Sequence, residues 1–194
     1  MRKIDEAIEF SAYAHRNQKR KAFDQDYFFH PLEVLSLVSI MTKDENVQCA
    51  AILHDTVEDT DTTLEDIRER FGERVYELVS YDTETRGEGV DKRASWKERK
   101  QETIDILKRK DDPESMMIVL CDKISNLRSM HLMLLDQGDE MWNVFHNNNP
   151  LDHYWYYTEI AKAMEDDLKD YAVYKEYLFL IDAVFGKYLK KEEK

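Results

Sequence analysis

Glycine and proline are scarce in this chain, which has 5 Gly and 3 Pro among 194 residues. β-Sandwiches and barrels contain many tight turns, and most such turns use one of these two residues. The shortage argues against an all-β protein and favours long helices with few connections. The chain length also predicts one domain, spanning residues 1–194.

Cysteines and long apolar segments are also rare. Cys49 and Cys121 are the only cysteines, and they lie outside any CxxC or Cys/His zinc spacing, so neither a disulfide framework nor a structural zinc site is indicated. The longest unbroken apolar run, residues 116–121, is far too short to span a bilayer. The N-terminus turns acidic where a signal peptide would turn apolar. We therefore expect a cytoplasmic protein with no membrane partner.

Positive charge is in deficit, with 28 Lys and Arg against 41 Asp and Glu, a formal net charge of −13. Such a chain repels polyanions, so we expect no nucleic-acid partner. A small anionic ligand is still allowed, because a local basic pocket can bind it within an acidic protein.

Apolar residues recur at spacings of three and four along most of the chain, which predicts helices throughout and an all-α fold. Thr62 and Glu65 have the spacing of a capping box, and Gly72 is placed to end the helix that follows. In the third helix, His54 shares the apolar face and is expected to point inward. The predicted helices cover residues 4–15, 31–41, 46–54, 62–71, 96–110, 150–165 and 170–189, with one more beginning at Pro113.

Four residues could bind a metal ion: His30, the adjacent pair His54 and Asp55, and Asp122. Two imidazoles and two carboxylates suit Mn²⁺, Fe²⁺ or Zn²⁺ and leave coordination positions open for water and substrate. A single histidine on an apolar face is more often a core residue than a ligand. However, Asp122 follows the apolar run at 116–121, and burying a carboxylate there is costly without a cation.

This arrangement resembles the H…HD…D pattern of the HD metal-dependent phosphohydrolase superfamily. The surrounding segments are more specific and look like the hydrolase domain of RelA/SpoT homologues, in particular the small stand-alone alarmone hydrolases that include metazoan members. The resemblance covers about residues 1–130. It rests on residues 15–21, 27–31, 51–60 and 122–128.

The resemblance implies an HD-domain helical bundle, which the C-terminal helices of residues 131–194 would complete. It also implies removal of the 3′-pyrophosphate from guanosine tetra- or pentaphosphate, ppGpp or pppGpp. One Mn²⁺ would be held by His30, His54, Asp55 and Asp122, with Fe²⁺ or Zn²⁺ as alternatives. Glu58 and Asp59 match the family's catalytic pair, which orients water or takes its proton. The plainer interpretation of this acidic loop is solvated charge at a helix N-terminus.

The same resemblance assigns nucleotide contacts. Arg20 and Lys21 match a pair that packs against the purine, and Asn126 and Ser129 match positions near the nucleoside. Independently of the family, the basic residues of the helix at 96–110 could neutralise phosphates, although an ordinary charged helix face explains them equally well. These basic residues are Lys97, Arg99 and Lys100.

Several alternatives stay open. Asp26 stands where the family commonly has proline, so the nucleotide pocket could differ in shape. The substrate could instead be an adenosine alarmone or the 2′-phosphate of NADPH, or the protein could be a non-catalytic alarmone sensor. The sequence also leaves homo-oligomer formation open. The aromatic spacing across residues 142–157 favours a core or an oligomer interface over a ligand site.

Overall fold

The chain is helical through most of its length. This computed structural model describes residues 2–20, 23–85, 96–109 and 112–189, and within these ranges the one β-type pairing is an isolated bridge between Lys19 and Asp26. The all-α prediction is confirmed. The helices are α1 (Lys3–Ala14), α2 (Phe29–Met41), α3 (Glu45–Leu53), α4 (Thr56–Asp59), α5 (Leu64–Phe71), α6 (Glu73–Thr85), α7 (Trp96–Lys108), α8 (Pro113–Gln137), a 3₁₀ helix (Gly138–Val144), α9 (Pro150–Leu168) and α10 (Ala172–Leu189).

These helices group into two compact units. The first comprises residues 1–89 and 112–122, and the second comprises residues 90–111 and 123–194. Helix α8 therefore contributes its first ten residues to the first unit and the rest to the second. The assignment of residues 1–194 to a single domain stays a prediction.

Helix α3 forms the centre of the first unit and packs against α1, α2 and α6. Its Asp44 N-cap accepts a hydrogen bond from the Asn46 amide at 2.7 Å, which satisfies one of the free amides at the helix start. From Cys49 to Leu53 every residue is buried. The small side chains Ala50 and Ala51 let neighbouring helices approach closely, so the end of α3 lies deep in the core.

The capping box of α5 lies one residue later than predicted. The capping box is formed by Thr63 and Asp66 rather than by Thr62 and Glu65: the Thr63 hydroxyl accepts from the Asp66 amide at 3.1 Å, and Asp66 accepts from the Thr63 amide at 2.8 Å. Both pairs have the same sequence spacing. The start of α5 at Leu64 places Ile67 and Phe71 in the core, which decides between the two. The stop at Gly72 is confirmed, with a φ of 91° that other residues rarely adopt.

Arg74 links α6 to the start of α8 within the first unit. Its guanidinium lies 3.1 Å from Glu77, 2.8 Å from Asp112 and 2.5 Å from Glu114. Asp112 in turn accepts a hydrogen bond from the Glu114 amide at 3.0 Å, as an N-terminal cap does. One arginine therefore fixes where α8 begins relative to α6.

In the second unit, α9 packs against α7 and α10. The aromatic segment predicted as core or interface supplies this core: Trp142, Tyr156 and Tyr157 are all buried. The Trp142 ring stacks on Phe185 at 6.0 Å and lies 5.3 Å from the ring of His153. Within the described residues, no helix has the length and apolar character needed to cross a membrane.

Candidate metal centre

Two histidines meet in the interior of the first unit. His30 lies in the first turn of α2, and His54 is the residue that caps the C-terminus of α3. Their side chains are almost fully buried, and the ring centroids are 5.2 Å apart in an edge-on arrangement. The inward orientation predicted for His54 is therefore correct.

Two carboxylates complete the cluster. Asp55 Oδ2 lies 3.1 Å from His54 Nε2 and 3.3 Å from His30 Nε2, and Asp122 Oδ1 lies 3.2 Å from His30 Nε2 and 4.0 Å from His54 Nε2. One donor atom each from His30, His54 and Asp122 lie within 4.8 Å of one another. Asp122 comes from α8, so three distant segments of the chain supply this cluster.

Backbone geometry aims the pair His54 and Asp55. Helix α3 ends at Leu53 and α4 begins at Thr56, so both residues lie in the short break between two helices. The Thr56 hydroxyl donates to the Leu53 carbonyl at 2.6 Å across this break, which satisfies a carbonyl that the end of α3 would leave open. Adjacent residues can therefore both face the cluster, which they could not do within a continuous helix.

The donor set fits a divalent cation. His54 Nδ1 lies 2.9 Å from the Ala51 carbonyl, which can only accept, so this nitrogen carries a proton and Nε2 is the ring nitrogen that faces the carboxylates. Two carboxylates that converge in the interior are costly to bury unless a positive charge lies between them. Ligand atoms held about 2.1 Å from one ion at right angles are about 3 Å apart, close to the observed separations.

Tyr27 supports the cluster from the segment before α2. Its hydroxyl donates a hydrogen bond to Asp55 Oδ2 at 2.6 Å, and its ring lies 5.7 Å from the ring of His30. Burial, reinforced by the charge of Asp55, raises the pKa of Tyr27 far above its usual value. The phenol therefore keeps its proton and acts as a hydrogen-bond donor at neutral pH.

Glu58 and Asp59 lie in the last turn of the short helix α4, directly after the ligand pair, and both are exposed. Gln18 holds this turn from the other side, since its side-chain amide donates a hydrogen bond to the Asp59 carbonyl. The side-chain oxygen of Gln18, Oε1, lies 2.6 Å from Nδ1 of the buried His15. The His15 ring in turn lies 5.0 Å from the Tyr27 ring. Contacts through Gln18 and His15 thus connect the turn that carries Glu58 and Asp59 to Tyr27, the residue that hydrogen-bonds to Asp55.

The predicted nucleotide contacts are distributed over both units. Arg20 lies beside the bridge between Lys19 and Asp26, and its amide donates to Gln25 at 2.9 Å. Lys21 lies outside the described residues. Asn126 and Ser129 are half-buried on the part of α8 that belongs to the second unit. Their binding roles stay predictions.

The basic residues of α7 have structural contacts within the second unit. Lys97 Nζ lies 5.3 Å from the Trp155 ring and 3.8 Å from Asp152, and Lys100 Nζ lies 4.5 Å from the Tyr156 ring. Arg99 is exposed. Because cation–π contacts favour a lysine over an aromatic face, these positions are explained without a phosphate. Phosphate binding by Lys97, Arg99 and Lys100 stays a prediction.

Sequence reasoning assigned no role to Gln18 or Tyr27. Tyr27 precedes His30 by three residues, in the turn that leads into α2. That spacing was the available signal. Nothing in the sequence alone places Gln18 beside Asp59, because 41 residues separate them.

Known proteins are similar to this chain over the region that contains the four proposed metal ligands. The model of the family described as "HD domain" matches residues 7–145. A guanosine-3′,5′-bis(diphosphate) 3′-pyrophosphohydrolase of Aquifex aeolicus is 38% identical over 131 residues, which is 66% of this chain but 18% of that protein. The chain thus spans less than a fifth of that relative. A protein of Mus musculus named guanosine-3′,5′-bis(diphosphate) 3′-pyrophosphohydrolase MESH1 is 36% identical over 129 residues, covering 65% of this chain and 68% of the mouse protein.

The fold is shared over a longer range than the sequence similarity. A solved structure described as a metazoan orthologue of SpoT that hydrolyses ppGpp superposes with a TM-score of 0.73 at 26% identity, covering 94% of each chain. The similarity in structure therefore continues well past residue 130, where the resemblance in sequence fades.

Proposed function

This chain belongs to the HD domain family, whose model matches residues 7–145, and we propose that it is a metal-dependent hydrolase of ppGpp and pppGpp. The reaction would remove the 3′-pyrophosphate and release GDP or GTP. The names of the Aquifex and mouse relatives support this substrate.

The observation that carries the proposal is the buried cluster of two imidazoles and two carboxylates. His30, His54, Asp55 and Asp122 would hold one Mn²⁺, or Fe²⁺ or Zn²⁺ in its place. Bound there, the ion would supply Lewis-acid polarisation of a phosphoryl oxygen and make a water more acidic. Burying these carboxylates removes their hydration, which costs free energy, and a bound cation would offset that cost.

The chain's own residues position the reaction. Tyr27 fixes the orientation of Asp55 through the 2.6 Å hydrogen bond, and Gln18 fixes the turn that carries Glu58 and Asp59. In the proposed step, a carboxylate of this turn accepts a proton from the water that attacks phosphorus. The ester bond between phosphorus and the 3′ oxygen breaks, so that pyrophosphate carries the oxygen of the water. The 3′ oxygen leaves as a hydroxyl by taking up the proton that the carboxylate accepted.

The nucleotide-binding roles of Arg20, Lys21, Asn126, Ser129, Lys97, Arg99 and Lys100 remain predictions from the sequence. So do the cytoplasmic location and the absence of a nucleic-acid partner.

A nucleotide panel tests the proposal. Purified protein loaded with Mn²⁺ is incubated with ppGpp, pppGpp, an adenosine alarmone and NADPH, and the products are separated by anion-exchange chromatography. We expect GDP and pyrophosphate from ppGpp. Turnover only of the adenosine alarmone or NADPH would overturn the substrate assignment, and activity that survives complete removal of metal would overturn the mechanism.

Variants separate an enzyme from a sensor. Asp122→Asn should abolish hydrolysis, whereas Asp61→Asn, a change of the same size at an exposed loop position, should leave it intact. Glu58→Gln should lose turnover by about 10²-fold or more while ppGpp still binds. A wild-type protein that binds ppGpp and never turns it over would show that the function is sensing.

A further inference from the structure

One ion pair ties α8 to α10 in the second unit, and another ties the 3₁₀ helix that follows α8 to α10. Arg128 Nη2 lies 2.6 Å from Glu176 Oε1, and Asp139 Oδ1, just past the end of α8, lies 2.5 Å from Lys187 Nζ. In both pairs the partners are 48 residues apart in the sequence. Because the separation is the same in both pairs, the segment from Arg128 to Asp139 runs in the same direction as α10.

Large apolar side chains are exposed between these ion pairs. Leu132 is 56% exposed and Leu135 is 71% exposed. They follow Arg128 at i+4 and i+7, so the three side chains share one face of α8. Phe179, which is 66% exposed, lies one turn after Glu176 on α10. We call Arg128, Leu132 and Leu135 of α8, together with Asp139 at the start of the following 3₁₀ helix, the α8 ridge.

The α8 ridge is complementary to itself when reversed. Its spacings are four, three and four residues, and its order is positive, apolar, apolar, negative. Laid antiparallel on a second copy, Arg128 faces Asp139 of the other copy and Leu132 faces Leu135. The flanking charges on α10 obey the same rule, because Glu176 then faces Lys187.

We propose that a second copy of this chain docks antiparallel on the α8 ridge and forms a twofold dimer. A twofold interface uses the same patch on both subunits, so the patch must match its own reverse, as this one does. An apolar centre between charged ends is also the usual anatomy of a protein interface. An unrelated partner would require no such reversal symmetry.

The charges have a defined role in this dimer. Exposed ion pairs add little to stability, but across an interface they determine register and exclude wrong alignments. A parallel alignment of α8 on α8 would place Arg128 against Arg128 and Asp139 against Asp139. The antiparallel alignment is the one in which each end meets its opposite charge.

The molar mass in solution tests the proposal. Sedimentation equilibrium over a dilution series should show a reversible dimer of the wild-type chain, and Leu135→Glu should yield a monomer with unchanged circular dichroism. Leu178→Glu is the matched control, because Leu178 is also exposed but lies on the flank of α10 away from Glu176. It should remain dimeric. A wild-type protein that is monomeric at every concentration overturns the proposal, as does a dimer that survives Leu135→Glu.

A charge exchange tests the antiparallel register. The double variant Arg128→Glu, Glu176→Arg keeps an ion pair within each chain but places like charges at both ends of the interface, so the dimer should dissociate. Adding Asp139→Lys and Lys187→Asp inverts the other end and should restore it. Loss of the dimer in the double variant followed by recovery in the quadruple variant supports the register. A double variant that dimerises as well as the wild type overturns it.

Discussion

The Tyr27 hydroxyl donates a hydrogen bond to Asp55 Oδ2 at 2.6 Å, and the same oxygen lies 3.3 Å from His30 Nε2 and 3.1 Å from His54 Nε2. A single carboxylate oxygen is therefore oriented by a phenol while it faces two imidazoles. Such outer partners fix the rotamer of a metal ligand and often contribute to affinity.

Removing this hydrogen bond should weaken metal binding. Tyr27→Phe keeps the ring and deletes the donor, so Asp55 can rotate away from the cluster. We expect Mn²⁺ affinity to fall about 10- to 100-fold in isothermal titration calorimetry. Tyr13→Phe, at an exposed position on α1, serves as the control and should bind Mn²⁺ like the wild type. Equal affinities for all three proteins would show that Tyr27 has only a packing role.

Gln18 should affect turnover rather than metal binding. Gln18→Leu removes the hydrogen bonds to the Asp59 carbonyl and to His15, which frees the acidic turn without touching a ligand. A lost hydrogen bond of about 1 kcal/mol predicts a decrease in kcat of about fivefold. Steady-state kinetics on ppGpp and Mn²⁺ titration would be measured together, with the neighbouring exposed Asn17→Ala as reference. A variant that loses Mn²⁺ affinity and keeps kcat would contradict this assignment.

Metal should stabilise the folded protein. A ligand at 100 times its Kd contributes about 2.7 kcal/mol, which for a chain of this size raises Tm by about 5–10 °C. Differential scanning fluorimetry with and without Mn²⁺ measures the shift, and Asp122→Asn should abolish most of it. Asp61→Asn should retain it. A shift that is identical in Asp122→Asn would place the ion elsewhere.

The cap of α5 should make stability depend on pH in the acid range. The Asp66 carboxylate forms one hydrogen bond with the Thr63 side chain and one with the Thr63 amide, and both lower the pKa of Asp66. A carboxyl with a lowered pKa in the folded state stabilises above its unfolded pKa, near 3.9, and loses this contribution as pH falls through the folded value. Asp66→Ala should therefore be less stable than wild type in urea unfolding at pH 7, and the difference should shrink below about pH 4.

Glu69→Ala provides the reference for that experiment. Glu69 is exposed on the same helix but lies outside the cap, so its replacement tests the general effect of removing a charge from α5. A deficit for Asp66→Ala that stays constant from pH 7 to pH 3 would show that the cap acts without ionisation of the carboxyl.

Local patterns predicted much of this molecule. Helical periodicity predicted that His54 points inward, and the cost of burying a lone carboxylate predicted that Asp122 has a partner. The patterns failed where two local solutions are equally good: Thr62 and Thr63 both offer a capping box, and only the burial of Ile67 and Phe71 chooses between them. The contact of Gln18 with Asp59 depends on tertiary packing, so no local rule contains it.

Arg74 lies away from the metal cluster but contacts the start of α8, the helix that carries the ligand Asp122. Its contacts with Asp112 and Glu114 fix the start of α8, and Asp122 lies nine residues after Pro113, a rise of about 13.5 Å. Because the hydrogen-bonded turns of a helix move largely together, a rotation of the first turn of α8 would also turn Asp122. Replacing Arg74 would therefore change the direction in which a ligand carboxylate points two and a half turns further along α8.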